Sequence, residues 1–315
     1  IEGAINYIDT KLLVLDNIQV SSIIGIGGTF RAVALSIMQS LNYPFKKLHA
    51  FEFTHEIFNE FLVKILQADA VELKNLNIKS NRLDIIKPGV LILSRIMNKL
   101  DVKNIITSGV GVREGVYLTD LLRNSKDKLP HNYNTSVRYI LDTFTQDTNY
   151  SNQLNKLGKE IFTLLHEDFN IDKKFIYELG IASKLSICGA SINIYFQNRH
   201  SYQIIKSSLE FGFTHKEILL ISTLSKYMGK SFPSNSHISK YSSLLPEEYT
   251  LHFLIYVLSL SSALLSHRPR NIDFKLEYKK GELNIVSSQA LYLSKEAIKN
   301  LDIIKDFTIK ISAPY

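Results

Sequence analysis

A β-branched run at residues 20–26 ends in Gly25-Ile26-Gly27-Gly28-Thr29, and the chain behind it switches at once to a helical period. Ala32, Leu35, Met38 and Leu41 recur three apart with Ile37 beside them, which predicts a helix over 30–41. A strand that feeds a helix through a glycine turn is α/β grammar. Glycines there let backbone N–H groups approach a ligand, and the helix N-terminus behind them favours an anion. The spacing is not a Walker loop, which needs Gly-Lys-Ser/Thr, nor the Rossmann fingerprint, because Phe30 stands where the third glycine belongs. A tight packing turn without a ligand accounts for the same residues.

The pattern continues as far as residue 127. Thr54 is placed to cap a helix through residue 65, with Ile57, Phe58, Phe61, Leu62 and Ile65 on one stripe. Pro88 and Gly89 are expected to open a helix over 90–100, and 104–108 reads as a short buried strand closed by Gly109 and Gly111. A charged stretch at 124–130 ends in Pro130 and marks a boundary. From 137 to about 265 the patterns are helical with almost no strand signal. The last segment changes again: 272–278 and 283–286 flank Lys279-Lys280-Gly281-Glu282 as a hairpin, followed by a helix over 294–301 and a strand over 307–311. Three regions result, at 1–127, 128–268 and 269–315. The expected fold class is α/β plus all-α.

Composition excludes several classes. With 45% hydrophobic and 21% charged residues the chain is globular, not disordered. No stretch approaches the roughly 20 apolar residues of a spanning helix, and no basic-then-apolar leader stands at the front. The single cysteine, Cys188, excludes an internal disulfide and fits a reducing compartment, so a cytoplasmic location is expected. The net charge of +7, mostly beyond residue 127, favours anionic partners, although a lysine-rich surface produces the same figure. Sequence-specific nucleic-acid binding lacks any reading motif.

Two further stretches hold candidate side chains. In 108–115, Arg113 offers a rigid fork for phosphate oxygens and Glu114 could hold it in place or help order a metal-bound water. Alternatively Glu114 only complements a helix dipole. In 81–89, Arg82 and Asp84 precede a proline; they read equally as an exposed charge and a turn residue. The nine histidines have no metal-ligand spacing: His55-Glu56 lacks the second histidine of a zincin helix, and Cys188 has no partner.

Taken in order, four stretches resemble the exopolyphosphatase / guanosine pentaphosphate phosphohydrolase (Ppx/GppA) family. They are 27–32, 82–89, 111–116, and 199–205 followed by Phe211-Gly212-Phe213-Thr214. The resemblance implies a partial actin-like (ribonuclease-H-like) domain, an HD-like helical domain and a small C-terminal α/β domain. It implies Mg²⁺-assisted hydrolysis of terminal phosphate from polyphosphate or guanosine pentaphosphate, in a homodimer. Gly27, Gly28, Thr29, Arg82, Arg113 and Glu114 would line the phosphate or nucleotide site, with Glu114 orienting Arg113.

Two departures qualify that expectation. The chain starts at Ile1 and shows neither of the family's front phosphate loops nor its carboxylate base. An incomplete catalytic apparatus, an open sheet edge beside 20–26 and inactivity of the isolated chain are therefore expected. The helical region has Leu185-Ser186-Ile187-Cys188-Gly189 where the family has Leu-His-Asp/Glu-x-Gly, and Tyr227-Met228 at a Tyr-His position. These side chains cannot ligate a divalent cation, so no metal is expected there, although Mg²⁺ is expected in the full-length enzyme. That region would instead serve dimerisation, or guide a polyanion along Arg199, Lys206, Lys226 and Lys230. The alternative is a non-catalytic nucleotide- or polyphosphate-binding regulatory module.

Overall fold

The computed structural model describes residues 2–130, 133–229, 231–279, 281–302, 304 and 307–314. The chain divides after residue 131 into two compact units.

The first unit runs α1 (Glu2–Lys11), β1 (Ser22–Gly25), α2 (Gly28–Ser40), β2 (Glu52–Thr54), α3 (His55–Gln67), α4 (Ala70–Asn75), α5 (Leu83–Leu100), β3 (Asn104–Thr107) and α6 (Val112–Leu122). The sheet order is β1-β3-β2, with β1 parallel and β2 antiparallel to β3. Its core draws Val33, Ala34 and Ile37 from α2, Phe58, Phe61 and Ile65 from α3, and Ile86, Val90 and Met97 from α5, packed on Phe53 and Ile105 of the sheet. Thr54 accepts a hydrogen bond from Ile57 N at 3.4 Å and caps α3 as its sequence predicts. Among the described strands β1 pairs only with β3, and Ile24 is 65% exposed.

One helix differs from expectation. α5 begins at Leu83 and holds Pro88 inside it. The missing N–H costs only the bond to the Asp84 carbonyl, and Pro88 itself is exposed. The apolar stripe runs through the proline, with Ile86 and Val90 both at 0% exposure, and that burial carries the helix across it. Asp84 thus sits in the first turn, where its carboxylate meets the positive end of the helix dipole.

The second unit is helical: α7 (Thr135–Phe144), α8 (Thr148–Leu165), α9 (Ile176–Leu185), α10 (Gln197–Ser208), α11 (His215–Tyr227), α12 (Asn235–Lys240) and α13 (Glu248–Leu264). The sequence then forms β4 (Phe274–Lys279), β5 (Glu282–Ser287), α14 (Tyr292–Lys299) and β6 (Thr308–Ser312). β4 and β5 pair antiparallel, while β6 joins β5 in parallel. Lys280, in the expected hairpin turn, lies outside the described residues. Residues 269–315 have their own sheet but belong to the same unit as the helices. Phe307 packs edge-on against Phe169 and Tyr256, and Ser294 Oγ donates to the Leu264 carbonyl at 2.9 Å. Among the described residues no helix is long and apolar enough to cross a membrane.

Candidate functional site

At the end of β1 the Phe30 ring folds back over Gly25, and a Cβ there would lie 2.0 Å from the ring carbons. The chain then turns through Gly27 at φ 110°, a conformation open to glycine and costly for any L side chain. No side chain caps α2 at this point. The amides that open the helix therefore stand beside whatever approaches Gly28.

What approaches Gly28 is Arg82. Its guanidinium lies so close that a Cβ on Gly28 would be 2.1 Å from Nη2. Arg31 and Lys79 join Gly28 and Arg82 around a cleft of about 250 Å³, with Ala32, Leu35 and Leu48 as its apolar wall. Three cations and no carboxylate line it, and among the described residues none of the three forms an ion pair. Charges of one sign gathered in so small a space repel one another, and a phosphoryl anion offsets that repulsion. The volume suits one or two phosphoryl groups better than a whole nucleotide.

Arg31 also donates from Nη1 to the Gly109 carbonyl at 3.0 Å, tying the cleft to the loop after β3. Arg31 stands in the stretch Gly27–Ala32, where the glycines carry the evident turn signal. Its signal is position: one turn inside a helix, a long side chain leans back toward the N-terminus.

The other expected residues do not meet here. Thr29 turns to α5, where a Cβ on Gly89 would lie 2.6 Å from Thr29 Cγ2. Arg113 is exposed on α6, in a shallow depression shared with Val116, Tyr117 and Arg123. Glu114 does not grip it. Its Oε2 accepts from Gly111 N at 2.7 Å, tying the side chain back to the residue that opens α6. That backbone bond is the main reason its carboxyl titrates below the usual range, with Arg113 and Arg31 adding lesser attraction.

Two family models match the chain. The Ppx/GppA phosphatase family covers residues 15–124, and Ppx/GppA phosphatase, domain III covers 133–305, more than half of the chain. The chain belongs to the Ppx/GppA phosphatase family. Among solved structures, the Aquifex aeolicus member of the Ppx/GppA family is similar at 22% identity, over 39% of this chain and 40% of that one, with a TM-score of 0.35. No curated protein matches.

In the Ppx/GppA domain III match, the stretch 185–189 is filled by neutral groups. Ser201 Oγ donates to the Ser186 carbonyl at 2.7 Å and accepts from Gly189 N at 2.9 Å. A Cβ on Gly189 would meet Gln197 O at 2.1 Å and Ser201 N at 2.3 Å, so glycine is required there by close backbone contact. Cys188 is buried, and burial pushes its thiol up to about 12. Among the described residues no three His, Cys, Asp or Glu converge as a metal-binding group.

Ser294, His267 and Asp273 have the connectivity of a nucleophile triad: Ser294 Oγ lies 3.3 Å from His267 Nδ1, and His267 Nε2 lies 3.1 Å from Asp273. Ser294 is fully buried and its hydroxyl is donated to Leu264 O, so no substrate reaches it. This chain of bonds fastens the tail to α13.

Proposed function

We propose that the first unit supplies the phosphate-gripping wall of a phosphoanhydride hydrolase acting on polyphosphate or guanosine pentaphosphate. One observation carries the reading: the Arg82 guanidinium seated over Gly28, with Arg31 and Lys79 around the same cleft. Family membership supplies the reaction class, a phosphatase. In such a reaction the transferred phosphoryl group carries its charge on peripheral oxygens. Arginine forks, an ammonium and helix-start amides stabilise that charge without transferring a proton.

The cleft holds no carboxylate that could accept a proton from water or ligate Mg²⁺, so these residues do not fit the ion and no step is routed through it. Our reading places the base outside residues 1–315 and makes the chain a binder that needs a longer form of the protein for turnover. The same lack of an acid also favours the second reading, a binding module without chemistry.

Phosphate release from polyphosphate and from guanosine pentaphosphate, each with Mg²⁺, separates them. Turnover by a longer form, lowered about 10²-fold or more by Arg82→Ala, supports the enzyme. Binding without turnover in every form supports the module. Turnover by residues 1–315 that ignores Arg82→Ala sinks both.

A further inference from the structure

The loop after β3 meets a histidine as well as Arg31. Gly109 N donates to His49 Nδ1 at 3.1 Å, while the Gly109 carbonyl accepts from Arg31 Nη1 at 3.0 Å. A single glycine thus stands between an imidazole and a guanidinium of the cleft. A Cβ on Gly109 would lie 2.8 Å from His49 Cβ, so the loop backbone is pressed directly against the histidine. His49 does not line the cleft itself, whereas its neighbour Leu48 does.

The turn that carries His49 is held in a strained form. Phe51 N donates to the Leu48 carbonyl at 3.2 Å and closes a turn over residues 48–51. Ala50, third in that turn, has φ 62°, the left-handed region that favours glycine. An alanine persists in that conformation only where its surroundings fix it. Here they do: Ala50 N donates to the Thr107 carbonyl and Thr107 N to the Phe51 carbonyl, each at 2.8 Å. These bonds carry the antiparallel pairing of β2 and β3 up to the turn and bring His49 level with Gly109.

Each amide from 108 to 111 has an acceptor within the protein. Ser108 N donates to the Gly25 carbonyl, Gly109 N to His49, Val110 N to Ser108 Oγ and Gly111 N to Glu114. The loop therefore has no N–H to spare for an anion, and what it gives the cleft is the Gly109 carbonyl that holds Arg31. Turning that carbonyl means turning the glycine, whose own N–H is fastened to His49. A backbone N–H can only donate, so Nδ1 accepts and the imidazole is neutral with its proton on Nε2.

We propose that His49 is a positioning residue for the phosphate cleft: through Gly109 it sets where the Arg31 guanidinium points. The inference rests on the cleft of Gly28, Arg31, Lys79 and Arg82 being the phosphate site, and it requires the ring nitrogen of His49 rather than the bulk of the ring. Two substitutions separate these. Asparagine puts an amide oxygen near the place of Nδ1 and discards the ring, whereas phenylalanine keeps a ring and discards the acceptor.

Calorimetry of tripolyphosphate with the full chain reads the outcome. His49→Phe should weaken binding about fivefold, the worth of one hydrogen bond, while His49→Asn stays within about twofold of the unsubstituted chain. On an Arg31→Ala background His49→Phe should change affinity by less than about twofold, because the histidine acts through that arginine. Nitrogen NMR of the unsubstituted chain needs no variant to fold, and in mildly alkaline solution it should find the His49 proton on Nε2. A proton on Nδ1 overturns the proposal. So does affinity that His49→Phe keeps and His49→Asn loses, or that both variants keep or lose alike. If Arg31→Ala and Arg82→Ala leave tripolyphosphate binding unchanged, the cleft is not the phosphate site, and the proposed function falls together with this inference.

Discussion

Gly28 and Arg82 are the pair on which the first-unit site turns. Replacing Gly28 with alanine puts a methyl group where the guanidinium rests, and the guanidinium is the far end of a flexible side chain that can swing away. Gly28→Ala should therefore alter stability by less than about 0.5 kcal/mol. Its affinity for tripolyphosphate, followed by calorimetry, should fall about tenfold. Gly27 behaves oppositely: its Cβ would point into open space, yet φ 110° penalises any side chain by about 1–3 kcal/mol. Unchanged affinity in Gly28→Ala would show that Arg82 does not act from this position. Arg82 and the glycines were legible in the sequence because turn chemistry and motif order marked them. The role of Lys79 was not, since an exposed lysine before a helix looks like any solvated charge until the fold brings it beside Gly28.

Elements were most legible where burial repeats with a clean period. The stripe on α3 and the β-branched runs of β1 and β3 identified themselves, and so did the tail hairpin. The start of α5 did not, because proline signals a boundary locally while the stripe through Ile86 and Val90 outweighs it. β2 has three residues, too few to show alternation. α1 and α6 bury no residue at all, and the apolar side chains of α6, Val112, Val116 and Tyr117 among them, stand exposed. The contact between the 188–191 turn and α10 gives a prediction at this scale. Gly189→Ala must push backbone atoms of Gln197 and Ser201 apart and should cost about 2–4 kcal/mol. Gly115→Ala, in α6 with nothing within 4 Å of the new methyl group, should gain up to about 1 kcal/mol. Thermal melts of the two variants check both; similar shifts would show that backbone proximity at Gly189 is not limiting.

For the molecule as a whole, the second unit should respond to acid through His237. That ring is 7% exposed, bonds to Thr223 Oγ1 at 3.1 Å, and lies near Lys226, Lys206 and Lys240. Burial first, then the three ammonium groups, lower its pKa from the model-peptide value of 6.5 to about 4. A depressed folded-state value means that the unfolded chain takes up the proton first. This contribution is complete above pH 6.5 and is lost as pH falls toward 4, at up to about 1.4 kcal/mol per pH unit. Urea titrations of the second unit across that window should show the loss, and His237→Gln should flatten it; an unchanged slope would assign the acid sensitivity to other groups. The charged stretch before Pro130 lies beside the break between the two units, whereas the packing of the tail on α13 has no such local signal, because Phe307 and Ser294 are anonymous until they find Tyr256 and Leu264. The hydrogen bond from Arg31 to Gly109 has one further consequence. A guanidinium already moored to the backbone surrenders its rotational freedom when the chain folds, so an arriving anion finds the donor waiting and need not immobilise it anew.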